Sequence, residues 1–178
     1  DDVNQEGRTI PADLARVDFF HWVLVDLPAS EVGVNVGEFS SSVVPRGKPG
    51  PGAPHGARQG INDYTGWFAG DPQMGGDWGG YDGPGPPWND ERLHHYHFTL
   101  YALDVERLEV PDPFGGEDAL KAMQGHILAQ SEWIGTYALY SGARVGLRRL
   151  QSSVVSRRLS GENDDAIREA LGANHTRR

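Results

Sequence analysis

A Gly- and Pro-dominated segment at residues 45–90 restricts the fold of this chain more than any other feature of the sequence. The chain has 24 Gly and 12 Pro in 178 residues, so much of it is turn and loop, and a bundle of long helices is disfavoured. A compact domain rarely keeps so long a segment without regular structure unless the segment carries function. We therefore expect these residues to contribute to a functional site.

Two strand-like runs flank this segment. Nearly every position of residues 19–28 is apolar, which predicts a buried central strand that Pro28 ends. Residues 93–103 form the second predicted strand, in which alternation places side chains on two faces. One face holds His94, Tyr96, Phe98 and Leu100, and the other holds His95, His97, Thr99 and Tyr101.

The second half of the chain contains further predicted elements. A helical stripe of apolar residues with acids at its N-terminal end predicts a helix over residues 116–129. Residues 133–139 predict a closing strand, and residues 164–172 a short helix that Gly172 ends. The length of 178 residues suits one domain. We predict a domain at residues 1–140 and a C-terminal extension at residues 141–178 that is partly helical or disordered.

Charge is distributed unevenly between these two parts. The formal net charge is −9; residues 1–140 carry 8 Lys and Arg against 21 Asp and Glu, whereas residues 141–178 carry 8 Arg against 4 acids. An acidic body argues against nucleic acid as the main partner, because binding to phosphates needs a cationic surface. The basic extension is open to another interpretation, as an arm that docks on acidic partners or on the acidic body itself.

Several absences bear on the compartment and on chemistry. The chain has no Cys, which excludes disulfides, thiol nucleophiles and Cys-ligated metals. It has no apolar run of the ~18 residues that a membrane span needs, and its polar opening is not a signal peptide. We predict a cytoplasmic protein, with the periplasm as the alternative. Because the sequence opens without Met, we expect a processed chain or a fragment.

Three motifs in order make the sequence recognisable. His21-Trp22 lies in the first strand-like run, residues 80–87 read Gly-Tyr-Asp-Gly-Pro-Gly-Pro-Pro, and residues 93–96 read Leu-His-His-Tyr before Tyr-Ala-Leu-Asp at residues 101–104. In this order, over roughly residues 3–140, the chain resembles the phosphatidylethanolamine-binding protein family. Its bacterial branch is called Raf kinase inhibitor-like.

The resemblance implies both a fold and a site. The implied fold is mainly β, an antiparallel β-sandwich-like structure with one or two short helices, and the implied site is a small pocket for phosphate, phosphoethanolamine or carboxylate groups. It implies a non-catalytic binding protein without a cofactor, which binds a small anion or a phospholipid head group and modulates a kinase, protease or signalling partner. The residues carried over by motif are His21, Tyr81, Gly83, Gly85, Pro86, His94 and Tyr96.

The sequence departs from the family pattern in two places. The family's Asp-Pro-Asp-x-Pro motif, which supplies a pocket carboxylate, is absent, as are the strands that normally precede it. We therefore expect an incomplete pocket and an exposed sheet edge. The second departure is the extension at residues 141–178, because bacterial members usually end soon after the closing strand.

Other interpretations of the same residues remain open. Without the resemblance, His21, His94 and Tyr96 are hydrogen-bonded core residues, and the Gly-Pro loop is a tight turn. The pair His95 and His97 suits a metal site on one strand face, and a hydrolase or metal-assisted enzyme that uses this histidine cluster is the alternative function. A nucleophilic Ser has no Gly-x-Ser-x-Gly elbow to support it.

Overall fold

The computed structural model describes residues 6–30, 33–40, 46–48, 53–143 and 155–156. Within these ranges the strands are β1 (Leu24–Val25), β2 (Arg58–Gln59), β3 (His94–Leu103), β4 (Ile127–Tyr137) and β5 (Val155–Ser156). The α-helices are α1 (Tyr64–Trp67) and α2 (Gly116–Ala122), and a 3-10 turn covers Pro54–Gly56. No helix in the described ranges is long and apolar enough to cross a membrane.

All pairings between these strands are antiparallel. Strand β1 pairs with β2, with Leu24 opposite Gln59, and β4 lies between β3 and β5. The long β3–β4 ladder runs from the pair His94 and Tyr137 to the pair Leu103 and Ile127, with an irregularity at Ala102/Leu103. The predicted mainly β, antiparallel class with short helices is confirmed.

Strand β3 lies where the sequence predicts it, but its covered face changes halfway along. At its start Tyr96 and Phe98 are partly buried while the intervening His97 is exposed. Further along, the side chain of Leu100 is 65% exposed, and Tyr101, on the other face, packs on the core. Tyr96 contacts His21 and Phe98 contacts Tyr81, whereas Tyr101 and Leu103 pack on the core, so different parts of the chain cover the two halves of the strand.

The predicted strand over residues 19–28 is wrong in its extent. Only Leu24–Val25 forms a strand. At the start of the run at residues 19–28, the backbone N–H of Phe20 donates to the Asp63 carboxylate (2.7 Å) instead of to a neighbouring strand. Near the end of this run, Asp26 has a φ of 60°, outside the range of an extended strand.

The predicted helix over residues 116–129 and closing strand over residues 133–139 also have the wrong bounds. Helix α2 ends at Ala122, and Gly125 follows with a φ of 89°. A left-handed residue at this position ends a helix. Ile127, counted in the helical stripe, is the first residue of β4, which continues to Tyr137.

The hydrophobic core lies between β1, the end of β3 and α2. Its buried residues are Val23, Val25, Leu108, Phe114, Ala119 and Met123. Of the extension at residues 141–178, only residues 141–143 and Val155–Ser156 are described, and Val155 and Ser156 pair with Gln130 and Ala129 of β4. The short helix predicted over residues 164–172 lies outside the described residues, and the division into a domain and an extension remains a prediction.

Candidate functional site

His21 and the loop after Tyr81 are joined by two hydrogen bonds. The His21 ring is bonded through Nδ1 to the Asp82 carbonyl oxygen (2.6 Å), and the Asp82 N–H donates to the His21 carbonyl oxygen (3.0 Å). Gly83 lies against the same ring, because a Cβ added to Gly83 would be 2.8 Å from Nδ1. The loop therefore needs Gly at this position to let its backbone lie against the imidazole.

Strand β3 brings Tyr96 and His94 to this histidine. The ring centroids of His21 and Tyr96 are 5.2 Å apart, and those of His94 and Tyr96 are 6.5 Å apart, with the rings nearly parallel. Burial raises the pKa of Tyr96 to about 12, although a hydrogen bond from the Gly85 backbone opposes the shift. The Tyr96 hydroxyl therefore keeps its proton at physiological pH and can donate it to a ligand.

The ring of His94 forms a hydrogen bond with a buried carboxylate. Its Nε2 bonds to Asp90 Oδ2 (2.9 Å), and Asp90 is 2% exposed. Arg16 donates to the same carboxylate through Nε (3.2 Å) and Nη2 (2.7 Å). Burial alone would raise the pKa of Asp90, but the hydrogen bonds from Arg16, the Arg92 N–H and His94 together lower it. Asp90 is therefore an ionised anchor that orients the His94 ring.

A second carboxylate near the site is also neutralised. Asp82 Oδ1 lies 2.5 Å from Lys48 Nζ, and Asp82 Oδ2 accepts a hydrogen bond from Asn62 Nδ2 (2.8 Å). Burial lowers the pKa of His21, and the nearby Asp63 and Asp82 carboxylates offset part of this shift. Because Lys48 pairs with Asp82, the repulsion that this carboxylate would exert on a bound anion is reduced.

The remaining predicted residues take different positions. Tyr81 packs on Trp22 and Phe98, at ring-centroid distances of 6.1 and 5.6 Å. Its ring therefore packs on other aromatic residues and lies beside the cluster of His21, His94 and Tyr96. Pro86 is buried and Gly85 is exposed. A Cβ on Gly85 would lie 2.9 Å from the hydroxyl oxygen of Tyr64.

Sequence reasoning missed several residues that build this site. Tyr64 faces His21 with ring centroids 5.4 Å apart, and burial raises its pKa. Asp82 lies inside the glycine-rich motif, and Asp90 precedes His94 by four residues, so these two carboxylates could have been suspected from spacing. Lys48 and Asn62 lie in segments with no local signal for such a role.

The histidines on the opposite face of β3 have different surroundings. His95 is exposed, and His97 Nδ1 bonds to Glu132 Oε1 (2.9 Å) on β4. Within the part of the chain that the structure describes, no three side chains of the metal-ligating types lie close enough together to hold a metal ion.

The model of the phosphatidylethanolamine-binding protein family matches residues 7–138. The chain therefore belongs to the phosphatidylethanolamine-binding protein family, as its motifs predict.

Individual relatives are similar over part of their length. A UPF0098 protein of Methanothermobacter thermautotrophicus is 34% identical over 117 residues, which is 66% of this chain and 61% of the relative. A UPF0098 protein of Aquifex aeolicus is 34% identical over 121 residues, 67% of this chain and 56% of the relative. The chain thus spans about six tenths of the length of these relatives. No solved structure matches the chain.

Proposed function

We propose that this protein binds small anions, in the form of phosphate, phosphoethanolamine or carboxylate groups, at the cluster of His21, His94, Tyr96 and the loop at residues 83–86. The observation that carries the proposal is that two imidazole rings lie close to the ring of Tyr96. The ring centroid of Tyr96 is 5.2 Å from that of His21, which comes from a distant segment, and 6.5 Å from that of His94 on the same strand. Exposed Gly85 leaves the loop backbone open to a ligand next to these rings.

The charges around the cluster support an anion over a cation. Of the three carboxylates near the cluster, two have a basic partner, Arg16 for Asp90 and Lys48 for Asp82. The third, Asp63, accepts a hydrogen bond from the Phe20 N–H. The groups left to meet a ligand are then two imidazoles and a phenol, which can form hydrogen bonds with the oxygens and hydroxyl groups of oxyanions. We propose binding without catalysis, because the cluster offers no nucleophile paired with a base.

Removal of His94 is expected to weaken anion binding by about tenfold, because one hydrogen bond to a charged ligand contributes about 1.5–3 kcal/mol. The measurement is a titration with phosphate or phosphoethanolamine, followed through the NMR signals of the histidine rings. His94→Ala is compared with His95→Ala, which removes the neighbouring exposed imidazole from the opposite face of β3. Saturable shifts of the His21 signals are expected in the parent chain and in His95→Ala.

Two results would contradict this proposal. The first is the absence of saturable shifts at His21 in the parent chain. The second is an equal effect of both substitutions, which would place the anion away from the cluster.

The family resemblance also predicts a protein partner such as a kinase or protease. We propose that such a partner would present a phosphate or carboxylate group to the same cluster.

A further inference from the structure

The hydrogen bonds of His21 determine which of its nitrogens carries a proton. A carbonyl oxygen can only accept a hydrogen bond, so the 2.6 Å contact with the Asp82 carbonyl requires a proton on Nδ1. A neutral imidazole carries one proton. When His21 is neutral, its Nε2 therefore presents a lone pair, which accepts a hydrogen bond and repels an oxygen that has no proton.

Nε2 of His21 is also open to a ligand. It has no hydrogen-bond partner among the residues that the structure describes. Among the described residues that are not exposed, every side-chain nitrogen or oxygen that is shielded from solvent has a hydrogen-bond partner. His21 is such a partly buried residue, and its Nε2 has no partner. This nitrogen is therefore in contact with solvent.

The groups around His21 favour the neutral ring at physiological pH. Burial lowers the pKa of His21, and His94 acts in the same direction. The hydrogen bond to the Asp82 carbonyl oxygen and the Asp63 and Asp82 carboxylates oppose the shift without reversing it. Asp82 pairs with Lys48, and Asp63 accepts a hydrogen bond from the Phe20 N–H. The neighbouring phenols of Tyr64 and Tyr96 stay uncharged because burial raises the pKa of each.

His94 differs from His21 in its anchor. Its Nε2 faces the Asp90 carboxylate, which accepts a hydrogen bond from the neutral ring and from the protonated ring alike. The hydroxyl of Tyr96 remains a donor. The cluster therefore combines at least one donor, the Tyr96 hydroxyl, with at least one acceptor, His21 Nε2.

We propose that the site selects oxyanions that carry a proton, such as hydrogen phosphate, over fully deprotonated oxyanions of the same shape and charge, such as sulfate. This inference rests on the anion-binding function proposed above. The P–OH group of the ligand donates to His21 Nε2, while an unprotonated oxygen accepts from the Tyr96 hydroxyl. Sulfate offers four acceptors and no donor, so one of its oxygens would meet the lone pair of Nε2.

The test compares inorganic phosphate with sulfate by isothermal titration calorimetry at about pH 8. Both are then mainly tetrahedral dianions, and only phosphate has a hydroxyl group. Phosphate is expected to bind at least about tenfold more tightly, because a site that hydrogen bonds to a hydroxyl discriminates strongly against an analogue that lacks it. As the pH falls and His21 takes a second proton, Nε2 becomes a donor, so the affinity for sulfate should rise and the preference for phosphate should disappear.

A variant and a second ligand strengthen the test. His21→Gln places an amide N–H within reach of the position of Nε2, and it is expected to bind sulfate and phosphate alike at about pH 8. Phosphoethanolamine loses its P–OH above its second pKa of about 6. Its binding at about pH 8 should therefore take up a proton from the buffer, whereas binding of inorganic phosphate, which keeps its hydroxyl group at this pH, should not.

The outcomes separate this inference from the function on which it rests. Equal binding of sulfate and phosphate by the parent chain at about pH 8 would overturn the selectivity and leave anion binding intact. No binding of phosphate, phosphoethanolamine or sulfate at either pH would overturn both. A preference for phosphate that persists at a pH at which the NMR signals of His21 show a protonated ring would show that His21 is not the acceptor.

Discussion

Replacement of Asp26 by Ala is expected to lower the free energy of unfolding by about 3–5 kcal/mol, one of the two largest effects that we predict. The Asp26 side chain is 6% exposed and accepts a 2.5 Å hydrogen bond from Arg58 Nε. It also accepts from the backbone N–H of Leu108 (2.9 Å). Its loss leaves Arg58 without its carboxylate, and it forces Ala into the left-handed region at a φ of 60°.

Asp26→Asn is the matched variant, because Asn tolerates the left-handed region and keeps the shape of the side chain. It removes the charge and one of the two acceptor oxygens, but it avoids the backbone strain and is expected to be less destabilising than Asp26→Ala. A second control is Asp104→Ala, whose partner His126 and own side chain are each nearly half exposed, so a change below about 1 kcal/mol is expected. Urea unfolding measures all three. If Asp26→Ala and Asp104→Ala are equally destabilising, the Asp26–Arg58 pair does not stabilise the fold as argued.

Replacement of Gly83 by Ala is expected to weaken phosphate binding by about a hundredfold. The new Cβ would lie 2.8 Å from His21 Nδ1 and 3.4 Å from two of the ring carbons, so the imidazole must move and its bond to Asp82 must change. The same loop supplies the Gly85 backbone contact to Tyr96. Two ligand hydrogen bonds would be misaligned, each of which contributes about 1.5–3 kcal/mol when the ligand is charged.

Gly66→Ala is the control for this substitution. Gly66 lies in α1, and a Cβ there would have no heavy atom within 4 Å. Ala at this position is expected to leave affinity unchanged and to increase stability by up to about 1 kcal/mol. The measurement is phosphate affinity by calorimetry, with thermal unfolding to verify that both variants fold. Unchanged affinity in a folded Gly83→Ala variant would mean that the loop does not shape the site.

Local sequence patterns predict the parts of this protein that depend on local physics. The alternation of residues 93–103 correctly predicts β3, because side chains of a strand point to opposite faces wherever the strand lies. It also places His94 and Tyr96 on one face, and the structure brings them together. The motif order correctly predicts the family over residues 7–138.

Local patterns fail where contacts distant in sequence control the backbone. The run at residues 19–28 has the composition of a full strand. The Phe20 N–H, however, donates a hydrogen bond to the carboxylate of Asp63, 43 positions later in the chain, and not to a neighbouring strand. The apolar stripe that includes Ile127 fits a helix as well as a strand. Ile127 is part of a strand because it pairs with Leu103 of β3. The left-handed backbone of Gly125 separates it from helix α2.

The anchors of the site are also long-range. Arg16 reaches Asp90 across 74 positions, and Lys48 reaches the loop of Asp82 from 33 positions earlier. Such partners depend on how the loops pack. No periodicity or spacing in the sequence relates residues that far apart.

The sequence by itself determined the mainly β class, the family and the chemical types of the site residues, because composition, alternation and motif order are local properties of the chain. Only the tertiary structure decided which nitrogen of His21 lacks a hydrogen-bond partner among the described residues and which carboxylates are neutralised. Those properties depend on hydrogen bonds between segments far apart in sequence, and the folded backbone alone brings such segments together.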